Sequence, residues 1–236
     1  MERVGAFLFR WRGVVFPAVI VALAIAFPPQ RAQTWVERGL LLLGLLVVCA
    51  GQALRALTIG WDYIERGGDR GRVAASRLVT TGMYAHCRNP MYLGNVLLVA
   101  GFLLAFGRAE AALPGMVFCV AAYSAIIRRE EAFLRGRFPE EFVAYCARVP
   151  RWRLNVSAVL HALRAKPADT KAILLREYST LSVTTVCATV LAAWRLHGKE
   201  WEPFEFTLVS AIAGIALGFY LTMRFLKRRR ILYAPR

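Results

Sequence analysis

Acidic residues are scarce in this 236-residue chain, where 15 Asp and Glu stand against 31 Lys and Arg. Charge of either sign is thin, at 19% of residues, whereas a soluble domain carries about 25%. Histidine occurs three times, as His86, His161 and His197, far apart and without an HExxH or similar metal spacing. The five cysteines (Cys49, Cys87, Cys119, Cys146 and Cys187) form no CxxC, and three of them lie inside apolar runs. That pattern argues against a zinc site or a disulfide framework. Neither GxGxxG nor GxxxxGK[ST] is present, so no phosphate-cradling loop is expected, and Gly67-Gly68-Asp69-Arg70-Gly71 reads as a flexible turn. Low hydrophobicity is missing too. Hydrophobic residues make up 58% of the chain, which excludes intrinsic disorder. A nucleic-acid binder would share the net charge of +16 but not the mean hydropathy of +0.46, so no nucleic-acid partner is expected.

What is present in quantity is uncharged apolar sequence. Six runs carry no charged residue: Gly13–Phe27, Gly39–Leu54, Pro90–Phe106, Ala111–Ile127, Tyr178–Trp194 and Phe206–Met223. Each is 15 to 18 residues long, at the short end of a membrane span, and bordering arginines can snorkel to extend it. Too little polar sequence remains to cover six such helices in water. The basic, then apolar, N-terminus mimics a signal peptide, but no small-x-small cleavage site follows around Pro28 and Pro29, so it reads as a retained first span. Six spans place 26 of the basic residues on one side of the membrane and 5 on the other. That asymmetry follows the positive-inside rule and puts both termini in the cytoplasm, with the protein integral to the cytoplasmic membrane. The expected fold is all-α: a polytopic helical membrane protein of about six transmembrane helices, with function on the cytoplasmic face, where residues 55–89 and 128–177 are long and polar.

Two clusters carry possible chemistry. The first is Gly82-Met83-Tyr84-Ala85-His86-Cys87-Arg88-Asn89-Pro90-Met91-Tyr92-Leu93-Gly94. Asn89 suits an N-cap and Pro90 the first helical position, so the third span starts here. Its free N–H groups can bind a carboxylate or phosphate, with Arg88 as a charge-assisted donor. Gly94 removes bulk one turn in, and Gly101 lies on the same face. A well-capped helix with an interfacial Tyr belt and a snorkelling Arg explains the same residues. The second cluster is Arg128-Arg129-Glu130-Glu131, followed by Phe133, Leu134, Phe138, Glu140, Glu141, Phe142 and Tyr145. Ile127, Glu131, Leu134 and Phe138 share one helical face. Glu131 on that apolar side needs a partner: Arg88, Arg128 or a cationic ligand. A structural ion pair and a ligand role are both open for it. Pro139 restarts the helix, and Glu140 and Glu141 suit its first turn.

Together the clusters resemble the isoprenylcysteine carboxyl methyltransferase and phospholipid methyltransferase superfamily, membrane enzymes that use S-adenosylmethionine. The resemblance covers roughly residues 40–155. Gly82, Tyr84, Arg88, Pro90, Tyr92 and Gly94 match one pattern. Glu130, Glu131, Leu134, Phe138, Glu140, Glu141, Phe142, Tyr145, Arg148, Val149 and Pro150 match the second. It implies a cofactor pocket formed by Tyr84, Arg88, Pro90, Tyr92 and Gly94 and closed by Glu130 and Glu131; Asn89 is expected in the same pocket, Arg88, Glu131 and Arg128 are the expected catalytic residues, and no metal is expected. The isoprenylcysteine enzymes carry His where Asn89 stands. The phospholipid enzymes share Asn-Pro-Met-Tyr but lack the preceding Arg, and Pro139 replaces a frequent Gly. The chain therefore sits between the two branches, and its acceptor, a lipid or lipidated molecule, stays open.

The expected organisation is a methyltransferase core over 1–155, a cytoplasmic linker over 156–177, and a C-terminal transmembrane hairpin with a basic tail over 178–236. Ser210, Gly214 and Gly218 read first as packing within that hairpin and second as a homodimer face. Two rival readings remain: an NADPH-dependent sterol-type membrane reductase of shared helical architecture, and a non-enzymatic membrane scaffold.

Overall fold

The computed structural model describes residues 2–61, 75, 77–165, 167–197 and 202–229, with side chains omitted at 2, 3 and 161–165. The turn read at Gly67–Gly71, the neighbouring Arg66 and Arg72, Lys199 and the basic tail beyond Arg229 lie outside these residues. Among the described residues eight α-helices follow one another: α1 (Glu2–Ala26), α2 (Trp35–Trp61), α3 (Pro90–Phe106), α4 (Ala109–Arg137), α5 (Pro139–Arg148), α6 (Val156–Ala165), α7 (Thr170–His197) and α8 (Pro203–Arg228). A short 3₁₀ turn, Gly82–Ala85, precedes α3. Among the described residues there is no strand.

Every apolar run became a helix, and most helices outlast their runs. Charged residues end a hydropathy window but not a helix, since Arg, Glu and Lys are good helix formers. Thus α2 runs through Arg55 to Trp61, and α4 continues through Arg128, Arg129, Glu130 and Glu131 to Arg137. Five helices (α1 from Val4, α2, α4, α7 and α8) are long and apolar enough to cross a membrane. The sixth, α3, is apolar but has only 17 residues, roughly 26 Å at 1.5 Å per residue. The chain is a polytopic helical membrane protein. Val14, Ile20 and Ile25 of α1 and Ile215 and Leu217 of α8 are exposed, as are Leu42 and Leu46 of α2. Apolar surface of that extent calls for lipid.

α2 and α3 form the most extensive helix pair. Gly44 and Gly51 face Gly101 and Gly94, and the backbones touch. A Cβ on Gly101 would stand 2.6 Å from the Gly44 carbonyl oxygen and 2.6 Å from the Val48 nitrogen. Small residues permit this approach, and in a bilayer it is a principal source of helix association. α1 packs along α4, where Leu8 and Phe9 meet Cys119, Ala122, Tyr123 and Ile126. At the end of α4, Phe142, Tyr145 and Val149 pack with Leu134, Phe138 and Leu78 and fold α5 back.

The C-terminal helices differ from the expectation in two ways. α6 and the first turns of α7 occupy the stretch read as a linker, 156–177. α7 is also bound at both ends, to the end of α2 and to the connection between α1 and α2. The Asp169 N–H donates to the Gly60 carbonyl at 2.8 Å; at the other end the Trp194 indole donates to the Pro29 carbonyl at 2.8 Å and the Ala32 N–H to the Arg195 carbonyl at 2.6 Å. Packing of the final hairpin through Gly214 and Gly218 is not found: a Cβ at either would meet nothing within 4 Å. Those glycines point outward, and the hairpin is joined elsewhere, as by the rings of Tyr178 and Tyr220 at 5.5 Å.

The glycine contact predicts a contrast. Gly101→Ala forces α2 and α3 apart and is expected to cost about 1–3 kcal/mol, the range for an overpacked interior, seen as a lower thermal midpoint in detergent. Gly214→Ala, with open space at its Cβ and the better helix propensity of Ala, is expected to hold or raise the midpoint. Equal midpoints for Gly101→Ala and the parent would contradict the close approach.

Candidate functional site

The start of α3 has Asn89 at its N-cap and Pro90 at the first helical position. The cap works differently from the expectation. The Asn89 side chain makes no capping bond; its amide donates to the Arg151 carbonyl at 3.3 Å. The Arg88 N–H donates to the Pro150 carbonyl at 2.9 Å, and the Cys87 thiol lies 3.5 Å from the Arg151 carbonyl. The segment after α5 is thereby laced along the segment before α3. Tyr145 adds a fourth tie, its hydroxyl donating to the Tyr84 carbonyl at 2.7 Å.

These ties bring Arg88 beneath the extension of α4. Its Nη1 lies 3.2 Å from Glu131 Oε1 and 2.9 Å from Cys146 Sγ. Arg151 takes the rest of the same carboxylate, with Nε 3.1 Å from Oε1 and Nη2 on Oε2. The hydrogen bonds it donates to Glu131 hold the Arg151 pKa above its ordinary value. Two guanidiniums on one carboxylate leave one net positive charge, beside the positive end of the α3 dipole. Arg88 Nε is buried and makes no hydrogen bond, so one donor there is unsatisfied. One turn into α3, the Tyr92 hydroxyl donates to Glu130 Oε1 at 2.5 Å.

The structure thus brings Arg88, Asn89, Pro90, Tyr92, Glu130 and Glu131 together at one end of the bundle. The other expected residues lie elsewhere. Tyr84 is buried within the 3₁₀ turn itself, before the start of α3. Gly94 faces α2, where a Cβ would stand 2.6 Å from Arg55 Cγ, so its missing side chain makes room for a helix neighbour. Arg128 is exposed on α4, and the arginines on Glu131 are Arg88 and Arg151. Arg151 and Cys146 were missed by sequence reasoning. The signal for Arg151 was its place directly after Arg148-Val149-Pro150, next to a carboxylate in need of a cation. Among the described residues, no group of three or more His, Cys, Asp or Glu side chains could hold a metal ion.

Residues 35–141 match the phospholipid methyltransferase family. That match, with isoprenylcysteine O-methyltransferases among the similar proteins, supports a resemblance of this segment to the isoprenylcysteine carboxyl methyltransferase and phospholipid methyltransferase superfamily. Both expected patterns begin within the matched segment, and the contact of Arg88 with Glu131 joins them. Similar curated proteins include a nickel-cobalt-cadmium resistance protein of Alcaligenes xylosoxydans xylosoxydans, 33% identical over 59% of this chain and 61% of that one. A cobalt-zinc-cadmium resistance protein of Cupriavidus metallidurans is 34% identical over 59% of this chain and 60% of that one. The protein-S-isoprenylcysteine O-methyltransferase of Schizosaccharomyces pombe is 30% identical over 44% of each chain. The chain spans about three fifths of the length of the first two relatives. No solved structure matches.

Two expectations follow. Glu131→Gln removes the charge shared by Arg88 and Arg151 and is expected to cost about 1–3 kcal/mol, the range for hydrogen bonds to charged groups, read by thermal unfolding; a midpoint equal to the parent's would show that the pairs contribute nothing. Burial pushes the Cys87 thiol above its ordinary 9.0 and raises the Tyr145 hydroxyl. The folded state therefore favours both protonated forms. Their contribution is complete below the ordinary values and is lost as pH rises through the raised ones. The parent's thermal midpoint should fall above pH 9.0 and fall less steeply in Cys87→Ala. An equal fall in both would remove Cys87 from the account.

Proposed function

We propose that the protein is a membrane methyltransferase that takes a methyl group from S-adenosylmethionine and passes it to a lipid or lipidated acceptor. The observation that carries this reading is the cationic end of α3. The unsatisfied Arg88 Nε, the net positive charge of Arg88, Arg151 and Glu131, and the positive dipole end of α3 suit the carboxylate of the cofactor. Glu130, held by the Tyr92 hydroxyl, suits the ammonium or sulfonium, and the Tyr92 ring offers a π face nearby.

When bound, S-adenosylmethionine supplies an electrophilic sulfonium methyl and departs as a neutral thioether. The chain's own residues bind, orient and exclude water. Asn89 and Pro90 set the direction of the α3 N–H groups. Glu131 fixes the Arg88 guanidinium, and Arg151 fixes Glu131. Because both oxygens of Glu131 are engaged by arginines, it has little capacity to act as a base. A carboxylate acceptor needs none, so the geometry favours a lipidated carboxylate over a protonated amine. Arg128, exposed a turn earlier on α4, would draw anionic lipid to the rim. The charge bias of 26 to 5 supports cytoplasmic termini and a cytoplasmic site, where the donor is dissolved. Residues 1–155 would supply the catalytic unit, with 178–236 added to it. The outward face of Gly214 and Gly218, open in the single chain, would suit a homodimer contact of small residues.

Calorimetry on the detergent-purified protein tests the proposal. Saturable binding of S-adenosylmethionine is expected, weakened about tenfold or more in Arg88→Ala, as the loss of a charge-assisted contact implies. Labelled methyl is expected in the lipid or lipidated fraction of membrane extracts. Saturable NADPH binding without S-adenosylmethionine binding would turn the reading to a reductase. An Arg88→Ala variant that is folded and binds like the parent would turn it to a scaffold.

A further inference from the structure

Arg55 and Glu177 are the most deeply buried ion pair among the described residues, and neither belongs to the candidate site. Both are nearly inaccessible, at 6% and 3% exposure. Arg55 lies roughly 9 Å along α2 from its end at Trp61, and Glu177 about 10 Å along α7 from its start, at 1.5 Å per residue. The Arg55 guanidinium is engaged on every side: Nε and Nη2 on the two Glu177 oxygens, Nη2 also on Thr180 Oγ1 at 3.2 Å, and Nη1 on Asn95 Oδ1. Gln52 donates to Glu177 at 3.1 Å. Ionisable groups at this depth in apolar helices are costly and mark function more often than packing. Arginine does not release its proton, so this cluster is a fixed charge pair and not a proton path.

The cluster joins two parts of the chain. Arg55 and Asn95 lie in the family segment, 35–141, and Glu177 lies outside it. Asn95 is three residues after Tyr92, and the stem of Arg55 fills the space at Gly94. The Tyr123 ring stands 5.4 Å from the Tyr92 ring, and its hydroxyl reaches the Asn95 side chain. Tyr92 in turn holds Glu130. α3 has a particular need for such a fastening. At 17 residues it is too short to set its own depth in a bilayer about 30 Å thick. Its glycine face on α2 brings the backbones close but offers few side-chain ridges to resist sliding. A bond from Arg55 to Asn95 fixes the axial position that the glycines leave loose.

We propose that Asn95, Arg55 and Glu177 are positioning residues for the site at the start of α3, through which α7 sets the placement of Arg88 and Tyr92. The claim rests on the proposed reading of that site as the cofactor site. It assigns the C-terminal hairpin a part in the reaction although the hairpin lies outside the family segment.

Asn95→Ala tests it without leaving Arg55 or Glu177 unpaired. The full-length variant in detergent is read two ways: calorimetric affinity for S-adenosylmethionine, and the rate at which a water-soluble maleimide labels the buried Cys87, three residues before the start of α3. About tenfold weaker binding and faster labelling are expected. Arg195→Ala, which loosens the opposite end of α7 where Arg195 bonds the Gln30 carbonyl, is expected to lower the thermal midpoint and change neither readout. Glu177→Gln gives the same two readouts should Asn95→Ala not fold. Parental affinity and labelling in Asn95→Ala would overturn the proposal, as would an Arg195→Ala variant that reproduces both effects, since the cluster would then act through stability alone. Absence of S-adenosylmethionine binding in the parent would remove the functional reading, and the labelling rates alone would then decide the positioning claim.

Discussion

Between α2 and α3 there is no room for a side chain at Gly51, Gly94 or Gly101, and the placement of the site depends on that contact. In water, two apolar helices are driven together by the loss of hydrated surface. In a bilayer the lipid tails are as apolar as leucine, and close packing has to supply the attraction. Glycine permits it by removing the atoms that would hold the backbones apart. The consequence is a short helix, α3, seated against a long one, with Arg55 of α2 drawn alongside Gly94 and Asn95.

From that seat the site is assembled outward. α3 presents its N-terminus at one end of the bundle. α4 returns beside it and extends past its apolar stretch, carrying Glu130 and Glu131 over the start of α3. α5 folds back on Phe142 and Tyr145, and the chain after it places the Pro150 and Arg151 carbonyls on Arg88, Cys87 and Asn89. The backbone amide and both neighbouring side chains at Arg88 are thus occupied by structure, and its guanidinium is aimed by Glu131. A donor group held this way loses little conformational freedom on meeting an anion, which is the basis of preorganised binding. The same order explains why Glu131 suits aiming better than proton transfer: its oxygens are spoken for.

Much of this was legible in the residues. Asn89-Pro90 marked the start of α3, Pro139 the start of α5, and the apolar periodicity through Ile127, Glu131, Leu134 and Phe138 the continuation of α4. Other features were misplaced for identifiable reasons. Arg55 and Glu177 looked like the polar edges of apolar runs, because a hydropathy window treats any charge as a boundary. Paired across α2 and α7, the two charges satisfy each other inside the helices. Gly94 sat within a motif and drew a cofactor role, whereas its neighbour is the stem of Arg55. Gly214 and Gly218 had the spacing of a packing face, yet the face is turned outward.

Composition, helix period, capping residues and charge bias are local or additive properties, and they already specified a helical membrane protein with its polar chemistry at one end. Which charges meet is not local. Glu131 could have paired with Arg128 on its own helix or with Arg88 from another, and its partners turned out to be Arg88 and Arg151. Arg55 and Glu177 are 122 residues apart, and no pattern in the chain announces their pairing. Such choices belong to the packing of helices against one another, because a buried charge is stable only where a distant segment brings its counterpart within a few ångströms.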